Sequence, residues 1–147
     1  MKESERLSKR LEEFKAYITE RNLEPRATIE ALEKKIRKEK NRELAEGDGA
    51  TINFYTDRHA CTVIRKTKKM IVLQRDTATL KEDFKPDFDV GGFSAHCENN
   101  DKQEYTYERN PDGQTYRAFW SEKKGCYVAD GCLKVSVGRH EFYDYNF

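Results

Sequence analysis

The apolar positions of the chain follow two different periods. Leu7, Leu11, Phe14 and Ile18 step by four, three and four residues, the spacing of a single stripe on an α-helix. Ile29, Leu32 and Ile36 make a second stripe after the break NLEPRAT, with Pro25 in the break and Thr28 placed to cap the second helix. Gly47 is the expected C-terminal stop. Both stripes are as narrow as a coiled-coil seam, and their flanks are Glu and Lys. Residues 1–46 therefore read as a helical arm, a hairpin that either lies on the rest of the molecule or pairs with its twin in a second subunit.

Beyond GDGAT, at 47 to 51, the period shortens. TINFYT (51–56), ACTVIRKT (60–67) and KMIVLQRD (69–76) are rich in β-branched residues and separated by short polar breaks, so they predict a meander. Asn110-Pro111-Asp112-Gly113 falls between two alternating runs and predicts a hairpin; Asp130-Gly131 predicts another turn before one or two closing strands. LKEDFKPDFDVGGFSAHCENND (80–101) has little periodicity, and such a stretch within a compact domain is usually either functional or wrongly assigned to elements. The terminal GRHEFYDYNF is expected to be a last strand. It would place His140, Phe142, Asp144 and Asn146 on one face and Glu141, Tyr143, Tyr145 and Phe147 on the other. Neither face is purely apolar, which points to a groove, a subunit contact or a ligand. The fold class is α+β, an N-terminal helical hairpin followed by a mainly antiparallel β-sheet body (47–147) built as a meander or a small barrel.

Composition sharpens this division. Residues 1–48 hold 13 basic and 12 acidic side chains but only Phe14 and Tyr17 as aromatics, so the other 14 of 16 Phe and Tyr, with Trp120, lie in the body. The 147 residues suffice for one modest core. A net charge of +1 argues against a surface that tracks phosphate backbones throughout, which makes nucleic acid an unfavoured partner. No run of about 18 apolar residues occurs and MKESERLSKR lacks a signal-peptide core. An intracellular, cytoplasmic protein without a membrane partner is expected, its four cysteines free.

Motif chemistry is sparse. His59-Ala-Cys61 and His96-Cys97 are two close pairs of potential zinc ligands, but no Cys-x-x-Cys or His-x3-His spacing supports a metal, and none is assigned. No nucleophile elbow, Walker loop, GxGxxG or HExxH is present, so no catalytic residue and no cofactor are assigned. The informative pattern is cations interleaved with rings: Tyr55, Arg58 and His59; Tyr116, Arg117, Phe119 and Trp120 followed by Lys123 and Lys124; Arg139, His140 and Phe142. Such groups sandwich a base and grip a phosphate, although sheets also pack arginine on aromatics for structure alone. The basic run Arg65–Lys69 sits at an expected hairpin turn, where a solvated loop accounts for it.

GDGATINFYTDRHACTVI, QRDTATL, KPDFDVGGFSAHC, FWSEK and GRHEFYDYNF together resemble small phage and mobile-element proteins of Firmicutes, and within them the first type of phage anti-Thoeris sponge. The resemblance spans roughly 47–147. It implies a counter-defence protein, acting in the bacterial host cytoplasm, that sequesters a cyclic ADP-ribose isomer and in some members cyclic oligonucleotides, without cleaving them. It also implies a homo-oligomer, a dimer or higher up to a hexamer. For such a ligand the side chains of suitable chemistry are Phe93, Phe119 or Trp120 to stack on adenine, Arg58, Arg117 and Arg139 for the pyrophosphate, and Asn99 and Asp57 for ribose hydroxyls. Gly91-Gly92 would admit close backbone approach. Two other functions stay open: a protein-binding inhibitor of a bacterial defence system such as an anti-CRISPR, and a nucleic-acid-binding accessory protein.

Overall fold

The computed structural model describes residues 2–21, 25–89 and 96–146. Among the described residues two helices, α1 (Glu3–Glu20) and α2 (Arg26–Arg42), precede ten strands: β1 (Gly49–Asn53), β2 (Arg58–Lys66), β3 (Met70–Arg75), β4 (Thr77–Leu80), β5 (Phe88–Asp89), β6 (His96–Cys97), β7 (Tyr105–Glu108), β8 (Thr115–Ser121), β9 (Cys126–Ala129) and β10 (Leu133–Val137). Six of them close a barrel in the order β1-β10-β9-β8-β3-β2, every neighbouring pair antiparallel. The α+β architecture read from the sequence is therefore present, and of meander or barrel the body is a barrel.

Barrel closure depends on β1 pairing with β10, which sets Ala50 against Val137 and Ile52 against Val135. Alternation along the strands turns Ala50, Ile52, Cys61, Val63, Ile71, Leu73, Ala118, Ala129 and Val135 into one core, all at most 2% exposed. Alternation alone does not explain Thr51 and Thr62, which are equally buried. They lie on the outer face, where the C-terminal tail covers them: Thr51 Oγ1 donates to Gly138 O at 2.7 Å and accepts from His140 N–H at 2.8 Å.

The helices pack on each other through Leu7, Leu11 and Ile36, flanked by Ile29 and Leu32. Ser4 ties the start of α1 to the end of α2, donating from N–H and Oγ to Glu43 at 3.0 and 2.5 Å. Burial opposes the charge on Glu43, but these bonds, with Lys2 and Lys40 nearby, hold its carboxyl below the usual range. α2 lies against β9 and β10. Its contacts with the body are polar: Lys38 and Arg42 reach Glu122 at 2.8 and 3.1 Å, and Asn41 Nδ2 donates to Gly125 O at 3.0 Å. Leu44, just after α2, is the apolar link, 2% exposed within the barrel core.

Four expectations fail in detail. α2 starts at Arg26 after Pro25, so Thr28 lies inside the first turn and does not cap it. It ends at Arg42; Gly47 instead serves a turn, at φ +90°, with its N–H donating to Val63 O at 2.8 Å. Asn110–Gly113 does not join a hairpin, because β7 pairs with β4 while β8 pairs with β3. The strand pair β3/β8 leaves the barrel at Asp76 and continues as the ribbon β4/β7, and residues 109–114 are extra length on the returning strand. Gly113 is required there: a Cβ would come within 2.1 Å of Arg75 O. Finally, the terminal segment is not a strand. It touches the sheet through one bridge, Arg58 with Phe142, and through Gly138 N–H on Gly49 O at 2.9 Å; the backbone N–H groups of residues 140, 141 and 143–146 donate to side chains.

Candidate functional site

The tail is built outward from its charged residues. Arg139 Nε donates to Asp76 Oδ2 at 2.8 Å and its Nη2 to Thr62 Oγ1 at 2.8 Å, while Thr62 Oγ1 donates to Asp76 Oδ1 at 2.6 Å. The Asp76 side chain is 1% exposed, so this guanidinium compensates a charge removed from water. Gly49 lets Arg139 lie flat on β1, since a Cβ would stand 2.6 Å from its Nη1. Two residues on, Glu141 receives a bidentate pair from Arg75 at 2.7 and 2.6 Å and a third bond from Ala60 N–H at 2.8 Å.

The far end of the tail is held by amides and carboxylates. Gln103 Nε2 donates to Tyr143 O at 2.6 Å and Gln103 Oε1 accepts from Tyr143 N–H at 3.1 Å. Asp57 Oδ1 accepts from Asp144 N–H at 2.9 Å, and Asn146 Oδ1 from Cys97 N–H at 2.5 Å. The aromatic rings of the chain end pack on one another and on the loop: Tyr145 sits 4.9 Å from Tyr143, 6.1 Å from Phe84 and 6.3 Å from Phe88.

Between this tail, the start of β2 and the ribbon lies a cavity of about 390 Å³. The tail contributes His140, Glu141 and Phe142; β2 contributes Arg58; β7 contributes Tyr105 and Tyr107, preceded by Gln103 and Glu104; Lys81 and Asp101 complete it. The Arg58 guanidinium lies 5.9 Å from the Phe142 ring centre. Among the described residues no carboxylate is within 4.0 Å of it. Lys81, by contrast, holds Glu104 at 2.7 Å. Burial pushes the Tyr105 phenol up to about 12, so it stays a neutral hydrogen-bonding group and donates to Gln103 Oε1. A smaller cavity of about 300 Å³, lined by Phe84, Lys85, Asn99 and Lys102, adjoins the first and shares Glu104 with it.

Of the ligand-binding residues assigned from sequence, Arg58 is the one among the described residues that lines the main cavity, and His140 and Phe142 of the third cation–ring cluster line it too. Asn99 lines the second, but its amide is engaged by Asp87 N–H at 2.8 Å and Lys85 O at 2.7 Å. Asp57 and Arg139 anchor the tail. Arg117 and Phe119 point outward from β8, Phe119 being 55% exposed. Trp120 points inward from the same strand, edge-on to Tyr127 at 5.1 Å, with Nε1 donating to Glu122 at 2.7 Å. Phe93, Gly91 and Gly92 lie outside the described residues. The candidate residues thus fall in separate places. Tyr105, Tyr107, Gln103, Lys81 and Glu104 went unnoticed; the alternation Tyr105-x-Tyr107 was their one sequence signal, since the ring pair marks a half-covered ribbon face.

His59 packs on Phe54 at 4.6 Å, and burial followed by the Arg75 charge moves it toward the neutral form. Cys61 is fully buried, and burial pushes its thiol up to about 12, which removes it as a nucleophile. Among the described residues no three His, Cys, Asp or Glu side chains converge on a metal-binding point, and no helix is long and apolar enough to cross a membrane.

Fold and groove together define a small antiparallel barrel that carries a helical hairpin on one side and a tail-walled polar groove on another. Compared with known proteins, the chain matches no family model, no curated protein and no solved structure.

Proposed function

We propose that the protein binds a small cyclic nucleotide signal, a cyclic ADP-ribose isomer, in the groove beside the tail and withholds it without cleaving it. The observation that carries this is Arg58: an accessible guanidinium, beside an aromatic ring and free of carboxylate partners among the described residues, at the mouth of a cavity of about 390 Å³. A cation beside a ring suits an anion attached to a base. Asp101 supplies an acceptor for ribose hydroxyls, and Tyr105 and Gln103 supply neutral polar contacts. In this reading the protein is a phage counter-defence sponge of the bacterial cytoplasm, acting as a homo-oligomer.

The test is incubation with nucleotide extract from cells whose TIR-domain immune enzyme has been triggered, followed by mass spectrometry of what heating releases. Unaltered cyclic ADP-ribose isomer is expected, and Arg58→Ala should weaken its retention by about tenfold. Release of a hydrolysed product would overturn sequestration in favour of catalysis.

A second reading is favoured by Phe119 and Arg117, which stand exposed on β8 next to Met70 and Val72 of β3. An outward ring and a guanidinium on a barrel wall suit a protein partner, as an inhibitor of a defence protein requires. Absence of any enriched nucleotide, with capture of a defence protein abolished by Phe119→Ala, would favour it. A steep loss of binding with salt would instead indicate nucleic acid.

A further inference from the structure

Glu104 stands on the boundary of the two cavities and lines both. Its carboxylate holds Lys81 Nζ at 2.7 Å, and the shared hydrogen bond favours the charged form of each partner. Lys81 faces the main groove, whereas Lys85 and Lys102 face the second cavity. Cations thus line the cavities on both sides of this carboxylate, with Asp83 beside Lys85 and Lys102 in the second. The Lys81 and Glu104 side chains are 46% and 66% exposed, and pairs this open to water are weakly held.

The groove's charges limit what it can take. Glu141 is bound by Arg75, and Asp101 repels anions. Arg58 can match one phosphate charge. A pyrophosphate brings a second charge close to the first, and Lys81 is the other Lys or Arg in the groove wall.

Building on the nucleotide-binding reading above, we propose that Lys81 and Glu104 form an exchangeable ion pair that selects a pyrophosphate over a single phosphate. The second phosphate charge takes Lys81 from Glu104, and the released carboxylate turns toward Lys85 and Lys102. A ligand with one phosphate is held by Arg58 and leaves the pair closed. Exchange of one anionic partner for another keeps Lys81 paired throughout, so selection costs little reorganisation. Glu104 acts here as a competitor that raises the threshold for anions, the repulsive half of specificity.

The test is isothermal titration of the full chain with cyclic ADP-ribose and with 3′,5′-cyclic AMP, two cyclic adenosine nucleotides that differ in carrying a pyrophosphate or a single phosphodiester. The quantity read is the ratio of the two affinities. Lys81→Ala should lower the preference for cyclic ADP-ribose by about tenfold, and Glu104→Gln should raise it by about threefold. Both side chains are exposed, and thermal melts coincident with the parent protein would show both variants folded. A ratio unmoved in both variants would overturn the exchange while leaving nucleotide binding intact. Failure of the parent protein to bind either nucleotide would overturn this inference, and the binding reading would fall with it if the triggered extract also yielded no retained cyclic ADP-ribose isomer.

Discussion

The arm and the barrel bury their apolar residues in different ways, and the difference separates what each contributes. In the barrel, Ile52, Val63, Ile71 and Leu73 are all at 0% exposure, because a closed sheet surrounds its interior and leaves no edge open there. In the arm, Leu7, Leu11 and Ile36 remain at 3–7% and their neighbours Ile29 and Leu32 are half-exposed. Two helices meeting along one seam cover only one side of each other. The arm is joined to the barrel mainly through Lys38, Arg42, Asn41 and Leu44, so it is a self-packed unit attached by polar contacts. Loss of the arm's order should therefore leave the barrel standing, and the reverse should not hold.

The sharpest test of this comparison is Leu73→Ala. It should cost about 4 kcal/mol and lower the denaturant midpoint of the whole chain in one transition; a change confined to a fraction of the signal would break the picture of a single closed core. Next is the tail. Arg139→Ala leaves the buried Asp76 carboxylate without its guanidinium and should cost about 3 kcal/mol, at the low end for a buried pair because Arg139 keeps some access to water. Amide exchange should then rise in 139–146 and at Thr51 and Thr62, which the tail covers. Unaltered exchange there would mean the tail is not fastened by this pair.

Leu11→Ala should cost about 2 kcal/mol, expressed as faster exchange in α1 and α2 with barrel amides still protected. Barrel amides that lose protection equally would show that arm and barrel unfold as one. The smallest effect concerns acid. The folded-state pKa of Glu43 is lowered, so its bonds to Ser4 contribute stability that is present above the carboxyl's unfolded value and lost as pH falls through the folded one. Arm opening should thus grow more frequent below about pH 4, and Glu43→Gln should flatten that dependence; an equal slope in both proteins would remove Glu43 as its source.

Functionally, the comparison places the candidate site with the barrel and its tail. The groove wall includes β2, β7 and tail residues but none from α1 or α2. Shortening the chain at Gly138 would remove His140, Glu141 and Phe142 and with them one wall of the groove, whereas arm substitutions leave that wall in place.

Leu7, Leu11 and Ile36 were visible as helix stripes because a helix repeats its face every three to four residues. Ala50, Ile52, Val63 and Leu73 lay in runs of the right composition for strands. Arg58 was visible as a cation next to a ring. Arg–aromatic adjacency in a list of residues does not show which face of β8 each occupies, so it grouped Trp120 with Arg117 and Phe119, whereas Arg117 and Phe119 turn out and Trp120 in. The pairing of Arg139 was not legible, because its partner, Asp76, is 63 positions away, and no local pattern announces such a pair. The Asn110–Gly113 turn was correctly placed but assigned the wrong partners, since turn chemistry fixes a change of direction and leaves open which strands pair on either side.

What the amino-acid sequence determined by itself is therefore local: two amphipathic helices, a change of period near Gly47, strands with a half-buried pattern and turns where Gly and Asp allow them. These follow from backbone sterics and from the repeat of side-chain direction along each element. The tertiary structure alone decided that β1 meets β10 to close a barrel, that Thr51 and Thr62 are buried on the outer face, and that a tail with no strand of its own walls a groove with Arg58 and Tyr105. Those outcomes depend on contacts between residues more than 30 positions apart, where the total of buried area and satisfied polar groups, and not any local preference, selects one arrangement.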